Sequence, residues 1–188
     1  MTNLSRPVYV SKYEAYKHAI PIAENIVQNN IQSRGQGIEE VLNRTIIGTI
    51  CELGTLKSVG GQLNPNEFDY KVRETYGWDI LTNKGNKIEV KRQKFDDGKI
   101  NWFSLTRQTA QLLINNIVEC SIDYVVTCDF ENYSDTHYKV YFKYLINASS
   151  FRRYVQKSNY KDNIFYYNHF SAIRNNDCVD LSPEPEVE

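Results

Sequence analysis

An aspartate, nine intervening residues and then Glu-Val-Lys place Asp79, Glu89 and Lys91 within a short stretch of chain. The segments that carry them, Trp78 to Thr82 and Asn86 to Arg92, alternate apolar and polar residues around Asn83, Lys84 and Gly85, a three-residue loop with glycine in the left-handed position. That pattern predicts a β-hairpin. In its register Thr82 pairs with Asn86, Leu81 with Lys87 and Asp79 with Glu89, so Asp79, Glu89 and Lys91 share one face and Trp78, Ile80, Ile88 and Val90 the other. Two carboxylates are then expected about 5 Å apart across the strands. Like charges so placed cost stability unless something positive lies between them. Hard carboxylate oxygens suit Mg²⁺, with Mn²⁺ as a substitute, because such an ion keeps several waters and takes its remaining ligands from phosphate oxygens. A metal there would polarise a phosphorus–oxygen bond and acidify a bound water, while Lys91 orients that water or steadies charge in the transition state. This is chemistry suited to phosphodiester hydrolysis.

The hairpin needs elements to hold it. Ile38 to Val59 reads as a long helix with an apolar stripe at Ile38, Leu42, Ile46, Ile50 and Leu53, stopped by Gly60 and Gly61. Glu52 lies at the edge of that stripe, roughly 80° from its centre. Gly48, one turn earlier, would let a sheet approach closely. After the hairpin, Ile100 to Leu105 is expected as a third strand and Thr106 as the cap of a helix running to about Val118. Ile122 to Cys128 is apolar enough for a strand covered on both faces, His137 to Lys143 alternates again, and Ala148 to Ser158 reads as helical. Ahead of all this, Ser11 to Gln32 reads as two helical pieces divided at Pro21, and 68–72 as a short extended piece. The expected fold class is α/β in the α+β sense. A central mixed β-sheet is flanked by helices in the order α-β-β-β-α-β, with extra N-terminal helices and a C-terminal extension. Residues 1–176 form a single domain, and 177–188 an acidic, disordered tail.

Asp79 and the Glu89-Val90-Lys91 run on a hairpin, with a Glu-bearing helix before and a helix and strand after, resemble the PD-(D/E)XK nuclease superfamily. The resemblance covers about residues 38–128, with Trp78 where the Pro of the motif would stand. It implies a restriction endonuclease-like core and a Mg²⁺-dependent DNA endonuclease, restriction-type or from a phage or mobile element, whose products carry 5′-phosphates. Asp79 and Glu89 would bind metal, Lys91 would assist the attacking water, and Glu52 would be a further ligand or an acid behind them. Glu67 and Asp69 could supply a carboxylate instead. One active site per chain implies a homodimer for cutting both strands. Three other readings stay open: a Holliday-junction-resolvase-like nuclease, a non-catalytic nucleic-acid or protein-binding module on the same fold, and an interaction protein built on Tyr154, Tyr160, Tyr166 and Tyr167.

Basic residues around the hairpin, Lys84, Lys87, Arg92 and Lys94, with Arg107 further on, could neutralise DNA phosphates, and Gln93 falls on the Lys91 face. Net charge is −1, but the last twelve residues hold five acids and no Lys or Arg, and leaving them out takes the charge from −1 to +4. Histidines at 18, 137 and 169 make no zinc spacing, and neither a P-loop nor a nucleophile elbow occurs. Cys51, Cys120, Cys128 and Cys178 are too scattered for a CxxC pattern and are expected as thiols. No apolar run reaches the length of a membrane span, and a polar N-terminus argues against a signal peptide. The expected setting is therefore the cytoplasm of a bacterial or phage-infected cell.

Overall fold

The computed structural model describes residues 6–29, 37–65, 77–92, 104–157 and 164–167. A short strand, β1 (Val8–Ser11), leads directly into α1 (Lys12–Gln28), which Ser11 caps by accepting a hydrogen bond from the Glu14 N–H. The expected break at Pro21 does not occur. Pro21 lies inside one continuous helix, on its exposed side, where water can satisfy the carbonyl that loses its donor. The next helix, α2 (Ile38–Val59), has the predicted bounds and ends at Gly60.

Three strands follow, β2 (Gln62–Leu63), β3 (Ile80–Leu81) and β4 (Lys87–Arg92), with the tight turn between the last two carried by Gly85 at φ 83°. Then come β5 (Ser104–Thr106), α3 (Arg107–Glu119), β6 (Tyr124–Asn132), β7 (His137–Asn147), α4 (Ala148–Tyr154), β8 (Val155–Lys157) and β9 (Ile164–Tyr167). The main sheet has six strands in the order β1-β7-β6-β4-β3-β2, antiparallel throughout except for the β4–β6 pair. That parallel step is bridged by α3, as a crossover must be. The fold is thus the expected α+β type, a mixed sheet flanked by helices.

Two strand assignments differ from expectation. The strand at Ile100 to Leu105 does not join the hairpin: β5 pairs with β9 in a separate three-stranded sheet, β5-β9-β8, and residues 100–103 lie outside the described residues. The third neighbour of the hairpin is instead β2, at the sheet's edge, too short for its period to show in sequence. The expected helix to Ser158 ends at Tyr154 and turns into β8. The predicted piece at 68–72 and the acidic tail at 177–188 fall outside the described residues.

Both faces of the main sheet are covered. Ile80, Ile88, Val90 and Val126 pack with Ile46, Ile50 and Leu53 of α2 and with Ala15 and Ala19 of α1. On the other face Val125 and Ile146 pack with Leu113 of α3 and Phe151 of α4. This explains the near-continuous apolar run in β6, whose alternate residues belong to opposite cores. The close approach of α2 to the sheet falls at Gly54, where an added Cβ would lie 2.8 Å from Val140 of β7. It does not fall at Gly48, beside which the nearest atom is the helix's own Glu52 carboxylate, at 3.6 Å.

Candidate active site

The hairpin closes in the expected register, Leu81 opposite Lys87 and Ile80 opposite Ile88, but its ladder stops one residue short of Asp79. Asp79 is a bend residue. Its N–H donates to the Ile88 carbonyl at 2.9 Å, and its Oδ2 accepts the Val90 N–H at 2.6 Å, so a side chain takes the place that a strand carbonyl would hold. Asp79 and Glu89 are therefore not a cross-strand pair. The bend also interrupts the alternation of faces: Trp78 does not join Ile80 and Ile88 but packs on the opposite side with Leu113 and Phe151. Asn64, a buried residue in the stretch that sequence pattern leaves irregular, fastens the bend by donating its amide to the Trp78 carbonyl and its backbone N–H to that of Asp79, both at 2.9 Å.

β4 keeps strict alternation. Ile88 and Val90 turn toward α2, and Glu89 and Lys91 turn the other way. Glu89 is only 7% exposed, and its Oε1 accepts a hydrogen bond from the Lys91 ammonium. Burial pulls Lys91 toward deprotonation, but the charges of Glu89 and Asp79, the hydrogen bond to Glu89 and, more weakly, the charge of Glu52 outweigh it. The Lys91 pKa is thereby raised above the usual lysine value, which makes it a firm cation at neutral pH. Of the four residues singled out by sequence, Glu89, Asp79 and Glu52 thus all act electrostatically on the fourth, Lys91. Glu52 contributes least, since α2 covers the Ile88 and Val90 face. Among the described residues no three carboxylate, His or Cys groups converge tightly enough to hold a metal ion by themselves.

The parallel strand beside this pair supplies what sequence reading passed over. Thr127 of β6 stands in register with Lys91, is 0% exposed, and its hydroxyl has no hydrogen-bond partner among the described residues. A hydroxyl following two valines in the apolar run Val125-Val126-Thr127-Cys128 is a signal that sequence does carry. Asp123, just before β6, locks the hairpin to the α3–β6 connection: its Oδ2 accepts the Lys87 N–H and its own N–H donates to the Lys87 carbonyl.

The expected phosphate contacts divide. Lys84 lies exposed at the hairpin's tip, away from the Lys91 end of β4. Lys87 is engaged within the fold, its ammonium donating to the Cys120 carbonyl at 2.9 Å. Arg92 pairs with Asp129 at 3.0 Å and lies 4.6 Å over the Phe130 ring. Arg107 opens α3, while Gln93, Lys94, Glu67 and Asp69 lie outside the described residues. Cys51, Cys120 and Cys128 are buried thiols outside any disulfide, and the Cys128 thiol is pushed well up by its hydrogen bond to Cys51 and by burial. Cys178 lies outside the described residues.

In this α+β chain the mixed sheet thus carries Glu89 with its paired Lys91, and the bend beside it carries Asp79. Residues 5–168 match the sequence profile of the bacteriophage T4 endonuclease IV family, and the chain belongs to that family of nucleases. No curated protein matches the chain. Among the described residues no helix is long and apolar enough to cross a membrane.

Proposed function

We propose that the protein is a Mg²⁺-dependent endonuclease that hydrolyses phosphodiester bonds of DNA at a PD-(D/E)XK-type site, in the cytoplasm of an infected cell. The observation that carries this reading is the buried Glu89–Lys91 pair with Asp79 bent in beside it, within a chain of an endonuclease family. The donor set fits Mg²⁺, an ion commonly held by only one or two carboxylates and otherwise by water and phosphate oxygens. Asp79 and Glu89 would hold it, and the weaker action of Glu52 on Lys91 fits an acid behind those ligands. When bound, the ion would polarise the phosphodiester and lower the pKa of a water molecule.

The chain's own residues do the rest. The Val90 N–H fixes the orientation of the Asp79 carboxylate. Lys91, held as a cation by its neighbours, steadies negative charge on the phosphate oxygens and orients the water; its raised pKa makes it a poor proton acceptor at neutral pH. Arg92 and Lys84 would position the backbone of the nucleic acid. Cutting both strands of a duplex with one site per chain calls for two copies related by a two-fold axis.

The test is incubation of the purified protein with supercoiled plasmid, linear duplex and four-way-junction DNA in Mg²⁺ or EDTA, beside Asp79→Ala and Lys91→Ala. Cleavage that requires Mg²⁺, leaves 5′-phosphate ends and vanishes in both variants is expected. Cleavage that persists in EDTA would remove the metal from the reading. Binding without cutting, with Mn²⁺ also tried, would replace the enzyme with a binding module.

A further inference from the structure

We propose that Thr127 is a positioning residue for Lys91, its hydroxyl receiving the ammonium when the Glu89 carboxylate turns to a divalent cation. The inference rests on the metal-dependent reading above and adds to it a residue that acts through the lysine.

The Thr127 hydroxyl is fully buried and has no partner among the described residues. A hydroxyl can donate once and accept twice, and native folds rarely leave such a group unsatisfied; each that remains calls for an explanation in strain, in an ordered water or ion, or in a catalytic role. Valine would fill the same space in this strand without the cost of stripping water from a hydroxyl. Val125 and Val126, the two preceding residues, show that the strand takes that side chain freely. The hydroxyl therefore has a use that packing does not supply.

Its placement says which partner it serves. Lys91 and Thr127 are opposite one another in the parallel β4–β6 ladder, so their side chains leave the same face from strands about 4.8 Å apart. In the resting arrangement the ammonium is bound to Glu89. Were Glu89 to hold a divalent cation, Lys91 would lose that acceptor and, largely buried with its side chain 23% exposed, would need another oxygen. The Thr127 hydroxyl, on the same face of the neighbouring strand and in register with Lys91, is an oxygen without a partner among the described residues. The exchange keeps Lys91 charged and near the site while Glu89 changes partner.

The test compares wild type, Thr127→Val and Thr127→Ser, each also in a Lys91→Ala background, by calorimetric titration with Mg²⁺ alone, thermal unfolding in EDTA and steady-state cleavage. Thr127→Val is expected to unfold in EDTA at an unchanged or higher temperature, yet to lose about tenfold in Mg²⁺ affinity and in kcat, the worth of one hydrogen bond to a charged group, with KM for DNA little altered. Thr127→Ser restores both, and in the Lys91→Ala background the valine costs no further Mg²⁺ affinity. Should the valine variant fail to fold, Thr127→Ala takes its place against Thr127→Ser. A Thr127→Val protein that matches wild type in affinity and kcat overturns this role alone and leaves the nuclease standing. So does a loss that serine does not repair, or one equally large without Lys91. A wild type that takes up no Mg²⁺ overturns both readings.

Discussion

Lys91 owes its charge to its neighbours, and this makes its contribution to stability depend on pH in a definite direction. Its pKa in the folded chain is raised, so the stabilisation it gives is complete below the unfolded lysine value of about 10.4 and is lost as pH rises through the higher folded value. Replacing it by methionine keeps the stem and leaves the buried Glu89 carboxylate without its ammonium. In EDTA, Lys91→Met is expected to be about 1–3 kcal/mol less stable than wild type at neutral pH, the cost of stranding a buried polar group. As pH rises past the unfolded lysine value the gap should begin to narrow, closing only above the higher folded value, where wild type has lost the same ion pair. Urea midpoints of the two proteins across that range decide it, and a gap that stays constant would mean that the pair contributes nothing through its charge.

Among the elements, α2 is the one on which the site's geometry leans, because it backs the hairpin and carries Glu52. Its seat against the sheet depends on Gly54, since a Cβ there would meet all the side-chain carbons of Val140 at 2.8–2.9 Å. Gly54→Ala is expected to cost roughly 1–3 kcal/mol by overpacking, and Val140→Ala in the same chain to return part of it, since the two share one contact. Thermal melts of the two single variants and the double variant give the coupling, and strict additivity would show that the helix simply shifts. Periodicity made this element legible in full, from Ile38 to Val59, because a stripe of period 3.6 ended by two glycines admits few other readings. The hairpin register was legible as far as Ile80, from alternation of period two around a turn with Gly85. What remained hidden depends on tertiary partners: the bend at Asp79 exists because Val90 and Asn64 supply hydrogen bonds to it, β2 is two residues long, and β5 finds its partner some sixty residues away. Pro21 misled because a local rule about helix breaking holds less firmly where water reaches the backbone. The four candidate residues were legible by type and spacing, whereas Thr127 gains meaning only when the parallel pairing of β4 and β6 is known.

For the molecule as a whole, a net charge of −1 conceals an unequal distribution. Residues 177–188 hold Asp177, Asp180, Glu184, Glu186 and Glu188 with no Lys or Arg, and the chain without them carries +4. A polyanion approaching the protein would meet both parts, and the acidic segment opposes its binding by charge alone, whatever its conformation. A chain ending at Asn176 is accordingly expected to bind duplex DNA roughly three- to tenfold more tightly than the full chain at low salt. The advantage should fade as added salt screens separations longer than about 10 Å. Fluorescence anisotropy with labelled duplex over a salt series reads both quantities, and the slope of log affinity against log salt reports how many phosphate contacts each form makes. A steeper slope in the truncated chain would mean that the acids had occupied basic groups that DNA can use. Parallel lines offset by a constant would instead assign the whole effect to long-range repulsion, and coincident lines would show that the segment has no part in binding.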